Sequence, residues 1–300
     1  MNVAQGRPRR LLVIHNPTSG RRAKGKLERW LAALARLGAR ATLAETEAPR
    51  HAIELARAAD PGRFDAVAVA GGDGTINEAV NGLAASDLPL ALLPLGTANV
   101  LANELGLPHD LERLAEIAAF APTRSVRPGE ILAEGQNEPW RFLLMAGIGF
   151  DAEVVDHLDL KLKRRLGKAA YAIESLRQLG RHEKKRFSAT IDGARTELAS
   201  LVVARAHFYG GRFVLAPQAR LDAPLLHAVE FPAPSRAAAL RYMAAVVTGT
   251  LARQCDVKVQ TAERIEIDGP DGAPVQVDGD VRLRLPASIG IAATPIGIIA

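Results

Sequence analysis

The sequence predicts an α/β domain followed by a mostly antiparallel, all-β domain, and three observations lead there. Up to about Phe120, apolar runs of strand length alternate with stretches of helical periodicity, in units of roughly 25–35 residues, the signature of a parallel sheet covered by helices. From Pro122 onward, Pro and Gly break that rhythm and short strand-like runs dominate. Between the third strand and its helix lies Gly71-Gly72-Asp73-Gly74-Thr75, a turn built mostly of residues without a Cβ.

The first half reads in order. Leu11–His15 is a strand, and Asn16-Pro17-Thr18-Ser19-Gly20 turns the chain. Leu27, Trp30, Leu31, Leu34 and Leu37 recur at helical spacing, which predicts a helix from Lys26 to Leu37 ended by Gly38. Ala41–Glu45 is a strand and Arg50–Ala59 a helix. Asp65–Ala70 is a buried strand, and Ile76, Ala79, Val80 and Leu83 mark the apolar face of the helix after it. Leu90–Leu93 is a fourth strand, from which Pro94-Leu95-Gly96-Thr97-Ala98-Asn99 turns into a helix reaching Leu105. All three turns follow strands, so they are expected to converge at the carboxyl edge of the sheet, where such folds bind ligands.

In the second half the expected strands are Phe142–Ala146, Arg186–Ile191, Leu198–Ala204, Val257–Gln260, Arg264–Ile267, Val275–Asp278 and Val281–Leu285, with helices at Lys168–Leu179 and Arg236–Leu251. The apolar tail from Ile289 to Ala300 is expected to pack back on the first domain. The domains are therefore placed at 1–125, completed by 287–300, and at 126–286, with a cleft suited to two substrates.

Composition narrows the chemistry. With 48% hydrophobic and 24% charged residues the chain is globular, and its 300 residues can bury two cores. A net charge of +5 admits nucleic acid, anionic lipid or phosphorylated substrates. Aromatic residues at 4% and the lack of any DNA-reading motif argue against nucleic acid. Cys255 stands alone, which excludes a disulfide framework and fits a cytoplasmic protein. No apolar run approaches the roughly 20 residues of a membrane span, so a lipid substrate has to be met peripherally, at the inner membrane face. The basic runs Lys161, Lys163, Arg164, Arg165, Lys168 and Arg181, Lys184, Lys185, Arg186 read as a solvated face or as a contact for an anionic membrane surface.

The glycine-rich turn is the sharpest chemical signal. Free N–H groups and the positive end of the following helix favour phosphate there. The Asp73 carboxylate would repel a bare phosphate, and makes sense with a divalent cation between them. Thr97 reads either as a second nucleotide contact or as a helix cap, and Thr46, past the second strand, is similarly placed. Gly20-Arg21-Arg22-Ala23-Lys24-Gly25-Lys26 nearly spells a P-loop but continues with Leu27 where Ser or Thr would hold Mg2+. Gly147-Ile148-Gly149-Phe150-Asp151 ends a strand, with Asp151 either facing ligand or capping a helix. Asp278-Gly279-Asp280 is a hairpin signal, and either acid can serve as general base toward an acceptor hydroxyl. The seven histidines show no metal-ligand spacing.

These motifs, from Asn16-Pro17-Thr18-Ser19-Gly20 through Gly71–Gly82 and Pro94–Asn99 to Leu166-Gly167-Lys168-Ala169-Ala170-Tyr171 and Asp278-Gly279-Asp280, make the chain resemble a bacterial diacylglycerol/lipid kinase, a family related to sphingosine kinases. The resemblance implies an N-terminal α/β nucleotide-binding domain and a C-terminal β-sandwich domain carrying the lipid site, with ATP and Mg2+, and transfer of the γ-phosphoryl group to a hydroxyl of a membrane lipid. It implies nucleotide contacts from Asn16, Thr46, Gly71, Gly72, Asp73, Gly74, Thr75, Asn77, Glu78, Thr97 and Asn99, with Asp73 organising metal and water. It puts Asp151 at the acceptor lipid and the base at Asp278 or Asp280, where the family has Asp-Gly-Glu. The family's acidic cluster for a structural Mg2+ is reduced here to Asp222, which argues against that metal. A homodimer is left open. A kinase of a soluble acceptor such as NAD, and a non-catalytic nucleotide sensor, are the competing readings.

Overall fold

The structure, a computed structural model, describes residues 6–20, 23–158, 173–175, 177–179 and 186–300. The chain divides into two compact units, Met1–Val126 with Thr294–Ala300, and Arg127–Ala293.

The first unit alternates strands and helices as expected: β1 (Arg10–His15), α1 (Ala23–Arg36), β2 (Arg40–Glu45), α2 (His51–Arg57), β3 (Ala66–Gly71), α3 (Asp73–Gly82), β4 (Leu90–Pro94), α4 (Val100–Glu104), α5 (Leu111–Phe120) and β5 (Thr123–Val126). The sheet order is β2-β1-β3-β4 followed by the C-terminal strand and β5, and the pairings among the first four are parallel. Every residue of β3 and all of β1 after Arg10 are buried, which is why these strands read as unbroken apolar runs rather than alternating ones. Leu11 and Val13 pack with Leu27, Trp30 and Leu34 of α1 and with Leu114 and Ala118 of α5 in one apolar core.

Two helix starts differ from expectation for one reason. Apolar periodicity marks where a helix begins to face the core, not where its backbone begins. Thus α1 starts at Ala23, and α3 at Asp73, with the extended Gly72 as its N-cap accepting the Ile76 N–H at 3.1 Å. The glycine-rich turn is therefore the first turn of α3.

The second unit comprises β6 (Gly129–Ala133), β7 (Trp140–Phe142), β8 (Met145–Gly149), α6 (Phe150–Asp156), β9 (Phe187–Ile191), β10 (Ala194–Leu198), β11 (Ser200–Ala204), β12 (Phe208–Tyr209), β13 (Phe213–Val214), β14 (Leu226–Phe231), α7 (Arg236–Val247), a 3-10 turn at Leu251–Arg253, β15 (Lys258–Ala262), β16 (Ile265–Asp268), β17 (Pro274–Val277), β18 (Asp280–Arg284) and β19 (Ala287–Ile291). They form two six-stranded sheets, β10-β9-β16-β19-β6-β7 and β15-β14-β11-β8-β17-β18, beside the small β12–β13 hairpin. The strand pairings are antiparallel. Residues of both sheets, including Ile131, Phe142, Ile148, Leu201, Ile265 and Val275, share one core, so the sheets stack as a sandwich.

Two runs that read as single strands are corners. Phe142 ends β7 in one sheet, and Met145 opens β8 in the other; Leu198 and Ser200 divide β10 from β11 likewise. A corner residue buried on all sides is as apolar as a strand residue, so hydropathy does not separate them. Residues 168–172 and 176 of the expected helix, the Leu166–Tyr171 motif and both basic runs apart from Arg186 lie outside the described residues.

The expected return segment at 287–300 is divided. Ala287–Ile291 is β19 of the second unit, while β20 (Ile296–Ile299) enters the first sheet between β4, to which it runs parallel, and β5, to which it runs antiparallel. Ile298 and Ile299 are fully buried. We expect Ile298→Ala to lower the unfolding free energy of the first unit by about 2–5 kcal/mol. Leu43→Ala, at an edge-strand position that is 45% exposed, serves as the control, with a change of about 0.5 kcal/mol or less. Equal urea midpoints for the two variants would contradict β20 as a core strand.

Candidate active site

The strand order β2-β1-β3-β4 reverses direction between β1 and β3. The crevice outside the carboxyl ends of two such strands is where open α/β sheets bind ligands. The Asn16–Gly20 loop leaves β1 there, and the glycine-rich turn leaves β3. The backbones are tied directly: the Asn16 N–H donates to Ala70 O at 3.1 Å and the Leu95 N–H to Gly71 O at 2.9 Å. Asn16 closes its own loop, its Oδ1 accepting from the N–H and hydroxyl of Thr18 at 3.0 and 2.8 Å, while its Nδ2 donates to Thr75 Oγ1 at 3.0 Å.

The Pro94–Asn99 loop meets the glycine-rich turn main chain to main chain. A Cβ on Gly96 would stand 2.6 Å from the Gly72 Cα, and one on Gly72 would stand 3.2 Å from the Gly96 Cα. Both positions need glycine because the other loop occupies the side-chain volume. Asp73 adds a second tie. Its two oxygens accept the N–H groups of Val100 and Leu101 at 3.1 and 3.2 Å. These are the first amides of α4, whose N-cap Asn99 has φ 47° and makes no side-chain cap. Asp73 thus caps α4 from another loop, the role the sequence offered to the exposed Thr97. Burial pushes the Asp73 carboxyl above the usual carboxylate range, against the downward pull of the Val100 and Leu101 amides.

Other expected nucleotide contacts fall around this cluster. Thr46 is half-buried and donates its N–H to His15 O at 2.9 Å. Asn77 is buried within α3, and the Glu78 carboxylate accepts the Arg50 N–H at 3.1 Å. Asn99 Nδ2 donates to Gly96 O at 3.0 Å, while its buried Oδ1 has no hydrogen-bond partner among the described residues.

This chemistry suits a magnesium-bound polyphosphate. The N-cap of α3 is a glycine that makes no side-chain cap, a helix start that favours an anion, and Asn99 Oδ1 offers an acceptor to a ligand donor. Among the described residues no group of three His, Cys, Asp or Glu is placed to hold a metal. A Mg2+ ion that arrives on phosphate oxygens and keeps its waters needs no such cage.

The second unit holds the remaining acids. Asp278, at φ 49°, turns its carboxylate back to the corner between β7 and β8, accepting the N–H groups of Leu143, Leu144 and Met145 at 3.0, 2.9 and 2.9 Å. The Leu143 and Leu144 amides lie between the strands where the chain changes sheets, the Met145 amide opens β8, and the buried carboxylate satisfies all three. Asp280, two residues on, is paired with Arg282 at 3.1 Å and has a side chain 37% exposed. Asp151 is the second residue of α6, whose N-cap is Gly149, so it does not cap the helix. Its Oδ2 accepts from Gln276 Nε2 at 2.7 Å, and its Oδ1 from the Tyr209 hydroxyl. Burial raises the Asp151 carboxyl above the usual range, and the Tyr209 and Gln276 hydrogen bonds partly oppose this.

Asp222 is exposed and forms a two-pronged pair with Arg220 at 3.0 and 2.9 Å. Its loop is held from inside by the fully buried Arg205, whose guanidinium donates to the carbonyls of Arg127, Leu221 and Leu225. Burial lowers the Arg205 pKa to about 10. Sequence reasoning missed Arg205, Tyr209 and Gln276. Gln276 sits between two valines in a strand, where alternation alone reads it as solvent-facing.

The two loop ties make separate predictions. Gly96→Ala should cost about 1–3 kcal/mol through overpacking, and more than Gly72→Ala, where the clash is milder. Asp73→Ala should cost about 0.5–2 kcal/mol by uncapping α4. Urea unfolding measures all three, and wild-type stability in Gly96→Ala and Asp73→Ala together would contradict the loop contact.

Comparison with known proteins agrees with this layout. The diacylglycerol kinase catalytic domain model matches residues 10–131, and the YegS C-terminal NAD kinase beta sandwich-like domain model matches residues 145–300. A protein named diacylglycerol kinase from Mycobacterium tuberculosis (strain ATCC 25618 / H37Rv) is 32% identical over 229 residues, covering 75% of this chain and 73% of its own. The diacylglycerol kinase of Bacillus subtilis (strain 168) is 28% identical over 284 residues, covering 93% and 92%. A crystal structure of a diacylglycerol kinase from Bacillus anthracis str. Sterne superposes with a TM-score of 0.76 over 98% of each chain, and at 24% identity it speaks to the fold. With both halves matched and the catalytic-domain loops gathered at the switch point, the chain belongs to the diacylglycerol kinase family of lipid kinases.

Proposed function

We propose that the protein transfers the γ-phosphoryl group of ATP, with Mg2+, to a hydroxyl of a membrane lipid, diacylglycerol-like or a sphingoid base. The observation that carries this reading is the close contact of Gly72 with Gly96, between the loops after β3 and β4, beside an α3 N-terminus with no side-chain cap. In this reading Gly71, Gly72, Gly74, Thr75 and Thr97 line the phosphates, and Asn16 and Asp73 hold those loops in register. Asp73 would hold the metal through its waters, and the metal would supply positive charge for the β- and γ-phosphate oxygens.

The acceptor side belongs to the second unit. Asp278 uses its oxygens on three amides, so the base role goes to Asp280. Asp280 takes the hydroxyl proton as the oxygen bonds to phosphorus and the bond from phosphorus to the bridging β–γ oxygen breaks. Asp151 accepts a hydrogen bond from the lipid headgroup and orients it. The enzyme would act at a membrane surface from outside the bilayer. Among the described residues no helix is long and apolar enough to cross one.

The test is transfer of label from γ-labelled ATP to a detergent-dispersed lipid extract, with NAD as the competing acceptor. We expect a labelled lipid that requires Mg2+; label on NAD alone, or on neither, would overturn the reading. Asp280→Asn should lower kcat by about 100-fold, whereas Asp278→Asn should act first on stability by disturbing the corner amides. The pH profile follows from Asp151. Its carboxyl protonates above the ordinary carboxylate range, and only the ionised form is a full acceptor. Lipid kcat/KM should therefore fall, as pH is lowered, at a pH above that range, and Asp151→Asn should remove that limb.

A further inference from the structure

We propose that Gln276 is a positioning residue for the acceptor hydroxyl, acting through Asp151 and joining it to the turn that carries Asp280. The inference rests on the reading of Asp151 as an acceptor-side group and adds a residue to it.

β17 runs between β8 and β18. Val275 and Val277 point into the sandwich core, so Gln276 points to the opposite face, where it is still 2% exposed. α6 packs across β8, β17 and β18 on that side. A buried amide is costly unless bonded, and an apolar side chain would be the cheaper occupant of a central strand. Gln276 meets this cost with two hydrogen bonds of opposite sense. Its Nε2 donates to Asp151 Oδ2 at 2.7 Å, and its Oε1 accepts the Gly279 N–H at 2.9 Å. One side chain therefore touches both the Asp151 carboxylate and the Asp278–Gly279 peptide of the turn that leads to Asp280.

The neighbours support a built arrangement. Gly147, directly opposite Gln276 in the β8–β17 register, leaves room for the pair, since a Cβ there would stand 2.6 Å from Gln276 Nε2 and closer still to Asp151 Oδ2. The Tyr209 hydroxyl, from the β12–β13 hairpin, donates to the other oxygen of Asp151. Each carboxylate oxygen thus has one protein donor and retains a lone pair for a substrate hydroxyl. An amide donor fixes the carboxylate without neutralising it, as a lysine or arginine would, so Asp151 stays a strong acceptor.

The experiment is a double-mutant cycle on the full chain, reading kcat and KM for lipid and for ATP. We expect Gln276→Met to lower lipid kcat/KM by about 10-fold or more while KM for ATP stays within about twofold. In an Asp151→Asn background the same replacement should change lipid kcat/KM by less than about threefold, because the residue it acts through is already altered. Tyr209→Phe, which leaves the Asp278–Asp280 turn untouched, should lower lipid kcat/KM in the same direction and keeps the test open if Gln276→Met does not fold. An active wild type with Gln276→Met at full lipid kcat/KM, or with an undiminished loss in the Asp151→Asn background, overturns this inference alone. If Gln276→Met does not fold, full lipid kcat/KM in Tyr209→Phe overturns it. A wild type that labels no lipid overturns the lipid-kinase reading and this inference with it.

Discussion

Carboxylate oxygens accepting main-chain amides hold both candidate sites in shape. Asp73 takes the first amides of α4, and Asp278 takes three amides at the corner from β7 to β8. In each place the amides stand in the first turn of a helix or at the corner that opens a strand, where regular structure leaves N–H groups without a backbone acceptor. A neutral side chain could satisfy one such group. An ionised carboxylate satisfies several, through bonds roughly twice as strong as neutral ones. Removing it would leave several donors unsatisfied at once, a larger cost than the loss of a single hydrogen bond.

The glycines follow from the same constraint. Asp73 can reach α4 because the loops carrying them touch at Gly72 and Gly96. The absence of side chains serves the protein–protein contact first, and the proposed approach of phosphate uses the surface that contact leaves. In the second unit Gly147 plays the corresponding part, clearing space for Asp151 and Gln276. Glycine-rich motifs here are places where two pieces of backbone, or a backbone and a buried polar pair, need one volume.

That explains how much was legible in the sequence. The alternation of buried strands and helices gave the α/β half, because residues such as Val67 and Val69 are apolar for packing reasons that leave a pattern. The convergence of the Asn16, Gly71 and Gly96 loops followed from their placement after strands. That Asp278 rather than Asp280 folds back on the chain was not legible, since an Asp-Gly-Asp turn carries no sign of which carboxylate does so. Gln276 was hidden for a related reason: a strand covered on both faces has no polar side, so alternation misplaces its one polar residue. Asp222 looked like the remnant of a metal cluster, while the group gathering that loop's carbonyls is Arg205, 16 residues before Leu221 and with no motif around it.

The central claim is that the loops after β1, β3 and β4 act as one nucleotide-binding unit. Amide hydrogen exchange on the full chain, with and without MgATP, tests it most directly. The account predicts that MgATP slows exchange at Gly72–Thr75 and Gly96–Asn99 together, and that Asp73→Ala weakens protection in both loops. Protection of one loop alone, or of neither at a nucleotide concentration that supports turnover, would contradict it.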